Sequence, residues 1–414
     1  MNQQPLTSLT LTFPKSDKPT YSLFLKGNLT VKSWPSLKED IPNTGLPRSA
    51  SGNDAEISPK GTILLTGANG GLGLAVVRKI VSRPELATYH GLYAVRDSLS
   101  SQRLRSALRD ATLGPHPHDI VSLDLTRLDT VRDVATTINA RVAADEIPPI
   151  RVLILNAAYL EFKEQTWTAE GFDTSFAATY PGHWLLTLML LQSIDRNYGR
   201  ILVIGSSAHK WYCLVHKTRV TMRAHYAKKK WQTIFHDSTE PIAKGTWSST
   251  REDPSFRGGY RRYGAAQLCQ VMMMYAFLCL SPPPNPMMQN PVLKGISVLG
   301  IDPGSTPTYL IRRGDWRIVG FWTLIMPWLV VILTWLWPNG ANRTVTKSSA
   351  DIVAAAFDSN PTLGERPKGL YLNGEERMEM AAEARDPRKR DIVWKDTLKY
   401  TRLDEKEIIL ANWA

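Results

Sequence analysis

The segment TGANGGLG, residues 66 to 73, carries glycines at a spacing with a physical job. Gly67 and Gly71 let the backbone turn tightly and approach a pyrophosphate, and Gly73 lets the next helix pack closely on the preceding strand. Asn69 and Leu72 complete the turn. An apolar run (TILL) precedes it and a helix-spaced run (LAVVRKIV) follows, so a helix N-terminus would face the phosphates of a dinucleotide. At the end of the second strand an acid would hydrogen-bond the ribose 2′-hydroxyl of NAD. Val95 and Arg96 stand there instead, and Arg96 suits a 2′-phosphate, which favours NADP over NAD even with Asp97 beside it. Metal chemistry is not expected. His116 and His118 flank a proline, and His209, His216 and His225 have no cysteine or acid at ligand spacing.

Elements must place these residues. Strands are expected near 90 to 95 (HGLYAV), 120 to 124 (IVSLD), 151 to 155 (RVLIL), 200 to 204 (RILVI) and 296 to 301 (ISVLGI), with helical stretches between them. That alternation predicts an α/β fold, a doubly wound parallel sheet of the Rossmann type, in one domain over residues 59–414. Residues 1–58 are rich in Ser, Thr, Pro and Lys, with two alternating runs that could pair as a hairpin, and read as an N-terminal extension. The tail from 347 reads as a helix, a short strand (GLYLNG) and a charged terminal helix.

The chain has 414 residues, 43% hydrophobic and 21% charged, too mixed for a disordered or fibrous protein. Its net charge of +12 favours anionic partners without choosing among them. Three cysteines are too few for a disulfide framework, and the first residues lack a basic start with an apolar run, so a cytoplasmic, reducing compartment is expected. Cys269 and Cys279, near three consecutive methionines, suit apolar packing. Residues 208–260 form a long basic insertion, with seven Lys and Arg between 208 and 230. A solvated loop is the expectation there, and no nucleic-acid motif accompanies the charges.

Residues 318–337 contain no charge, within a segment 311–346 that reads either as an apolar lid over the site or as a monotopic membrane contact. A single crossing would put GLYLNG and the earlier strands on opposite sides of a membrane, which one sheet forbids. Pro327 would divide the run into two short helices.

Taken together, TGANGGLG, Asp124 after the third strand, LNAA at 155–158, GSS at 205–207, YGAAQ at 263–267 and DPGSTPT at 302–308 resemble the short-chain dehydrogenase/reductases, in the same order. The likeness covers about residues 60–414 and is nearest to a fungal subgroup often found in secondary-metabolite pathways. It implies that Asp124 meets the adenine, that Asn156 and Ala157 line the cofactor, and that Gly304 and Thr308 lie near the nicotinamide. It also implies a proton donor, Tyr263, and a second hydrogen-bonding group, Ser206, with Ser207 as its alternative and Tyr260 as a competitor of Tyr263.

The sequence departs from the family at three places. Gln267 stands where the motif has Lys, Thr179 where it has Asn, and Ala158 where it usually has Gly. Gln267 can still hold the ribose, but it carries no charge to lower the phenol pKa, and carbonyl reduction, which uses the neutral phenol, suffers less than alcohol oxidation. Arg261 and Arg262 should point elsewhere on the helix. The reading is an NADP(H)-dependent reductase of a bulky, apolar natural-product carbonyl. The alternative is a relative with lost redox chemistry, serving as an isomerase, cyclisation catalyst or binding protein.

Overall fold

The structure, a computed structural model, describes residues 60–409 apart from 111–115, 211–212, 216–217, 221–224, 227, 279–293 and 309–318. The N-terminal extension and the Pro-rich stretch 281–287 therefore lie outside the described residues.

Eight strands form the main sheet: β1 (Thr62–Thr66), β2 (His90–Val95), β3 (His118–Ser122), β4 (Ile150–Leu155), β5 (Arg200–Ile204), β8 (Ser297–Asp302), β9 (Tyr371–Asn373) and β10 (Glu376–Arg377). A two-stranded hairpin, β6 (Cys213–Val215) with β7 (Thr218–Val220), stands apart from it. The main order is β10-β9-β8-β5-β4-β1-β2-β3, parallel throughout except for β10. This is a single doubly wound α/β domain. GLYLNG supplies β9, which pairs in parallel with β8, as one sheet required. The chain reverses its direction of travel between β1 and β4, and such a switch point leaves a crevice at the C-terminal strand ends.

Alternate strand residues feed two cores. Leu64, Leu153 and Val203 face one side, and Ile63, Leu65 and Ile154 face the other. The helices that bear on the site are α1 (Gly71–Val81), α2 (Thr174–Thr179), α3 (Pro181–Leu190), α4 (Phe256–Leu278) and α5 (Val345–Phe357). The terminal helix, Pro387–Thr401, follows the sequence expectation.

Three local expectations are corrected. The third strand runs two residues earlier than the apolar run suggests, because His118 and Asp119 join the ladder opposite Gly91 and Leu92. The basic insertion is not simply a solvated loop. Tyr226, Trp231, Ile234 and Phe235 are buried in the main core, and Lys210 is buried with its ammonium donating to the carbonyl of Glu379. The apolar run is one helix rather than two: it passes through Pro327, with a π turn over Phe321–Ile325 leading into Met326–Leu336. Proline is tolerated there because it falls at the start of the regular α segment, where its missing N–H costs little.

Candidate active site

β1 ends at Thr66, and Gly67 takes a left-handed φ of +69° that turns the chain away from the sheet. A side chain on Gly73 would run into the carbonyl of Gly67, so only glycine lets α1 come this close. The Thr66 hydroxyl ties the two sides of the switch point together. It accepts the backbone N–H groups of Asn156 (2.9 Å) and Ala157 (3.0 Å), while Asn156 Nδ2 donates to the Thr66 carbonyl at 2.9 Å. Its own proton faces His183 Nε2 at 2.9 Å, and His183 Nδ1 lies 2.9 Å from the carbonyl of Thr179. Burial pushes the His183 pKa down to about 4, so the ring is neutral, and its partners assign the proton to Nδ1.

The other expected cofactor residues lie at the same strand ends. Asn69 has a buried Oδ1 with no hydrogen-bond partner among the described residues, and Leu72 packs against the core. Arg96 is exposed at the end of β2, and the neighbouring Asp97 is held below the usual carboxylate range by the Ser100 hydroxyl and the Leu99 N–H. Asp124 accepts the backbone N–H (2.9 Å) and the hydroxyl (2.7 Å) of Thr126, which fixes the turn after β3. Gly304, at φ +73°, donates its N–H to Asp302 Oδ1 at 2.8 Å. Thr308 stands beside Gly71: a Cβ there would be 2.9 Å from the Thr308 Cβ. Thr308 is thus at the glycine turn itself. Gly71→Val would press on Thr308 and block backbone approach, so affinity for the nicotinamide dinucleotide should fall at least about tenfold with the fold retained, as measured by cofactor titration and circular dichroism.

β5 delivers the second part of the site. Ser206 follows it in extended conformation, and its Oγ accepts the Ala208 N–H at 3.2 Å. The Ser206 side chain lies close enough to the Tyr263 phenol to favour its ionised form. Ser206, not Ser207, is the serine so placed. His209 locks the turn from behind, with Nδ1 donating to the Ser206 carbonyl and Nε2 accepting the Ala381 N–H at 3.3 Å. Burial pushes its pKa down to about 3, and the neutral ring supplies the donor and acceptor that this bridge needs. Tyr226 donates to the Ala208 carbonyl at 2.9 Å, and a Cβ on Gly264 would strike both groups. Gly264 is what lets α4 carry Tyr263 onto Ser206.

Tyr263 is buried in an apolar cluster with Leu160, Phe162 and Ala208, flanked by Ala158, Phe256 and Tyr260. Burial drives its pKa up to about 12, with the nearby Ser206 side chain opposing, so the phenol is neutral across the ordinary pH range. Tyr260 packs against His225 instead, with ring centres 4.6 Å apart. Arg261 and Arg262 turn away, as their helix positions suggested. Arg261 pairs with Asp253 at 2.5 Å, and Arg262 pairs with Asp173 at 3.3 Å.

One turn after Tyr263, Gln267 is almost wholly buried. Its Oε1, the Oγ1 of buried Thr179 and the Oε1 of Gln270 have no hydrogen-bond partners among the described residues. A buried acceptor left unpaired needs a donor, and a ligand hydroxyl or a water supplies one. Sequence reading missed Thr66, His183 and His209. Thr66 was legible as the first residue of the glycine segment, whereas the two histidines act through partners distant in sequence.

Known proteins sort this geometry. A family model described as short chain dehydrogenase matches residues 61–215. A short-chain dehydrogenase of Talaromyces variabilis, iccH, is 43% identical over 371 residues, covering 86% of this chain and all of that relative. The chain belongs to the short-chain dehydrogenase/reductase family. A protochlorophyllide reductase of Daucus carota is 33% identical over 171 residues, 40% of each chain. Among solved structures, a Sphingobium yanoikuyae short-chain dehydrogenase in complex with NADPH is 17% identical, covering 71% of this chain and 84% of that one, at a TM-score of 0.41. Membership makes this short-chain dehydrogenase/reductase an oxidoreductase by family and its cofactor a nicotinamide dinucleotide.

Proposed function

We propose that the protein reduces a carbonyl group of a bulky, apolar natural product, such as a polyketide or terpenoid, with NADPH. The observation that carries this reading is a neutral Tyr263 buried in an apolar cluster, with the Ser206 side chain close by after β5. Gly67, Asn69, Gly71, Leu72 and Gly73 would hold the pyrophosphate, Arg96 the 2′-phosphate and Asp124 the adenine. Asn156, Ala157, Gly304 and Thr308 would line the rest of the cleft, and Gln267 and Thr179 would face the ribose. When bound, NADPH supplies the hydride.

Tyr263 then gives its proton to the carbonyl oxygen, leaving a phenolate that takes a proton back from solvent, while the Ser206 hydroxyl donates a hydrogen bond to the same oxygen. Leu160, Phe162 and Phe256 around the phenol favour an apolar substrate and exclude water.

Cofactor choice rests on Arg96. Asp97 is engaged chiefly by its own turn and only weakly by Arg96, whose exposed guanidinium would meet the phosphate. Arg96→Asp replaces a charge-assisted contact by repulsion, so NADPH affinity should drop at least about tenfold, or about 1.5 kcal/mol, while NADH affinity changes little. Paired titrations of the two cofactors, followed by single-turnover assays on apolar ketones, test the reading. An equal loss for both cofactors makes Arg96 structural. Tight NADPH binding with no ketone turned over would favour the non-redox alternative, for which Gln267 is the one specific observation.

A further inference from the structure

The chain from residue 319 to 336 is continuously helical, and its inward side is a single stripe: Met326 and Val330 are buried, with Trp322 and Leu333 partly so. The rest of the circumference is apolar and open to solvent. Phe321, Leu324, Ile325, Leu329, Val331, Ile332 and Leu336 are exposed, and Trp328 and Trp335 reach 74% and 79%. A water-facing helix carries polar residues on its outer face, and this one has no charge over its length. An apolar surface of that extent marks a contact with something else. It does not form a buried lid.

The mounting is firm. The Thr344 N–H donates to Thr334 Oγ1 at 3.0 Å, and buried Arg343 donates to the carbonyls of Gly340 (3.0 Å) and Asp302 (3.1 Å). Ser305 bridges to Asn342, so the C-terminal end of the helix is fixed to the loop that follows β8 and carries Gly304. Both neighbours in the chain, β8 and α5, belong to the sheet domain, and no described helix is long and apolar enough to cross a membrane.

We infer that this helix is a monotopic docking element that sinks into an anionic lipid surface. A second protein would cover one face of a helix, whereas acyl chains surround a protruding one on three sides, which matches the exposure observed. Tryptophans at 328, 335 and 337 suit the boundary between headgroups and acyl chains. Charge complements this, since the chain carries +12 overall. The inference does not depend on the reaction proposed above.

The test uses the full chain with vesicles of phosphatidylcholine containing phosphatidylserine, and with phosphatidylcholine alone. The chain should sediment with the mixed vesicles, more weakly with the neutral ones, and its tryptophan emission should shift to the blue. The double substitution Trp328→Glu and Trp335→Glu should weaken sedimentation at least about tenfold while leaving the circular dichroism and NADPH affinity unchanged. Three results overturn the proposal: no sedimentation with mixed vesicles, sedimentation the substitutions leave intact, or self-association in ultracentrifugation that they abolish without any lipid binding. Failure of NADPH binding with lipid docking intact would count against the reductase reading alone.

Discussion

Tyr263→Phe should lower NADPH-dependent carbonyl reduction roughly a hundred- to ten-thousandfold, with little change in cofactor affinity. The substitution removes one hydroxyl and keeps the ring that packs against Leu160 and Phe162, so the apolar cluster survives. What is lost is the phenol proton that the proposed mechanism delivers to the substrate oxygen. At pH 7 a phenol with a pKa pushed to about 12 lies roughly 7 kcal/mol from ionisation, which holds the donor in the form that reduction consumes. Single-turnover decay of NADPH absorbance separates this chemical step from binding. Full turnover in the Phe variant would remove proton donation by Tyr263 and turn the reading toward an isomerase, a cyclisation catalyst or a binding protein.

How far the sequence reaches differs between the frame and the site. Strands β1, β2, β4, β5 and β8 are apolar runs closed by turn residues, and a parallel sheet buried on both faces leaves that signature. The glycine turn, Ser206 and Tyr263 are legible because each lies in a short motif at a strand end or in a helix. The insertion was less legible. Its lysines dominate the composition, but the fold is decided by the aromatics between them, since Trp231 and Phe235 gain more from burial than exposed lysines lose by staying in water. The apolar run was legible as apolar and not as exposed, because hydrophobicity states the cost of water and not what covers the surface.

The supporting polar groups lay furthest from view. Thr66 and His183 meet across 117 residues, and His209 reaches Ala381 across 172, so no local pattern could pair them. The adjacency of β1 and β4 explains how Thr66 meets Asn156, whereas α3 brings His183 to Thr66 and the turn after β5 brings His209 to Ala381.

Gln267→Lys should raise alcohol oxidation at neutral pH by about ten- to a thousandfold and leave carbonyl reduction nearly unchanged. Position 267 follows Tyr263 by one helical turn on the same buried face, so a cation there stabilises the phenolate and lowers the phenol pKa. A shift of one to three units, or about 1.4 to 4 kcal/mol, takes it from about 12 toward the range of roughly 9 to 11. The sign then follows. Oxidation needs the phenolate as base, and its fraction at a fixed neutral pH rises by a factor of ten for each unit; reduction needs the neutral phenol, which remains the dominant form. The limb of the oxidation pH profile should therefore move to lower pH. A buried ammonium also costs desolvation, so thermal unfolding should show some loss of stability, and Gln267→Met, similar in length and uncharged, is the control that should not raise oxidation. If Lys and Met behave alike in both directions, charge at 267 does not set the phenol, and the proposed role of Gln267 reduces to facing the ribose.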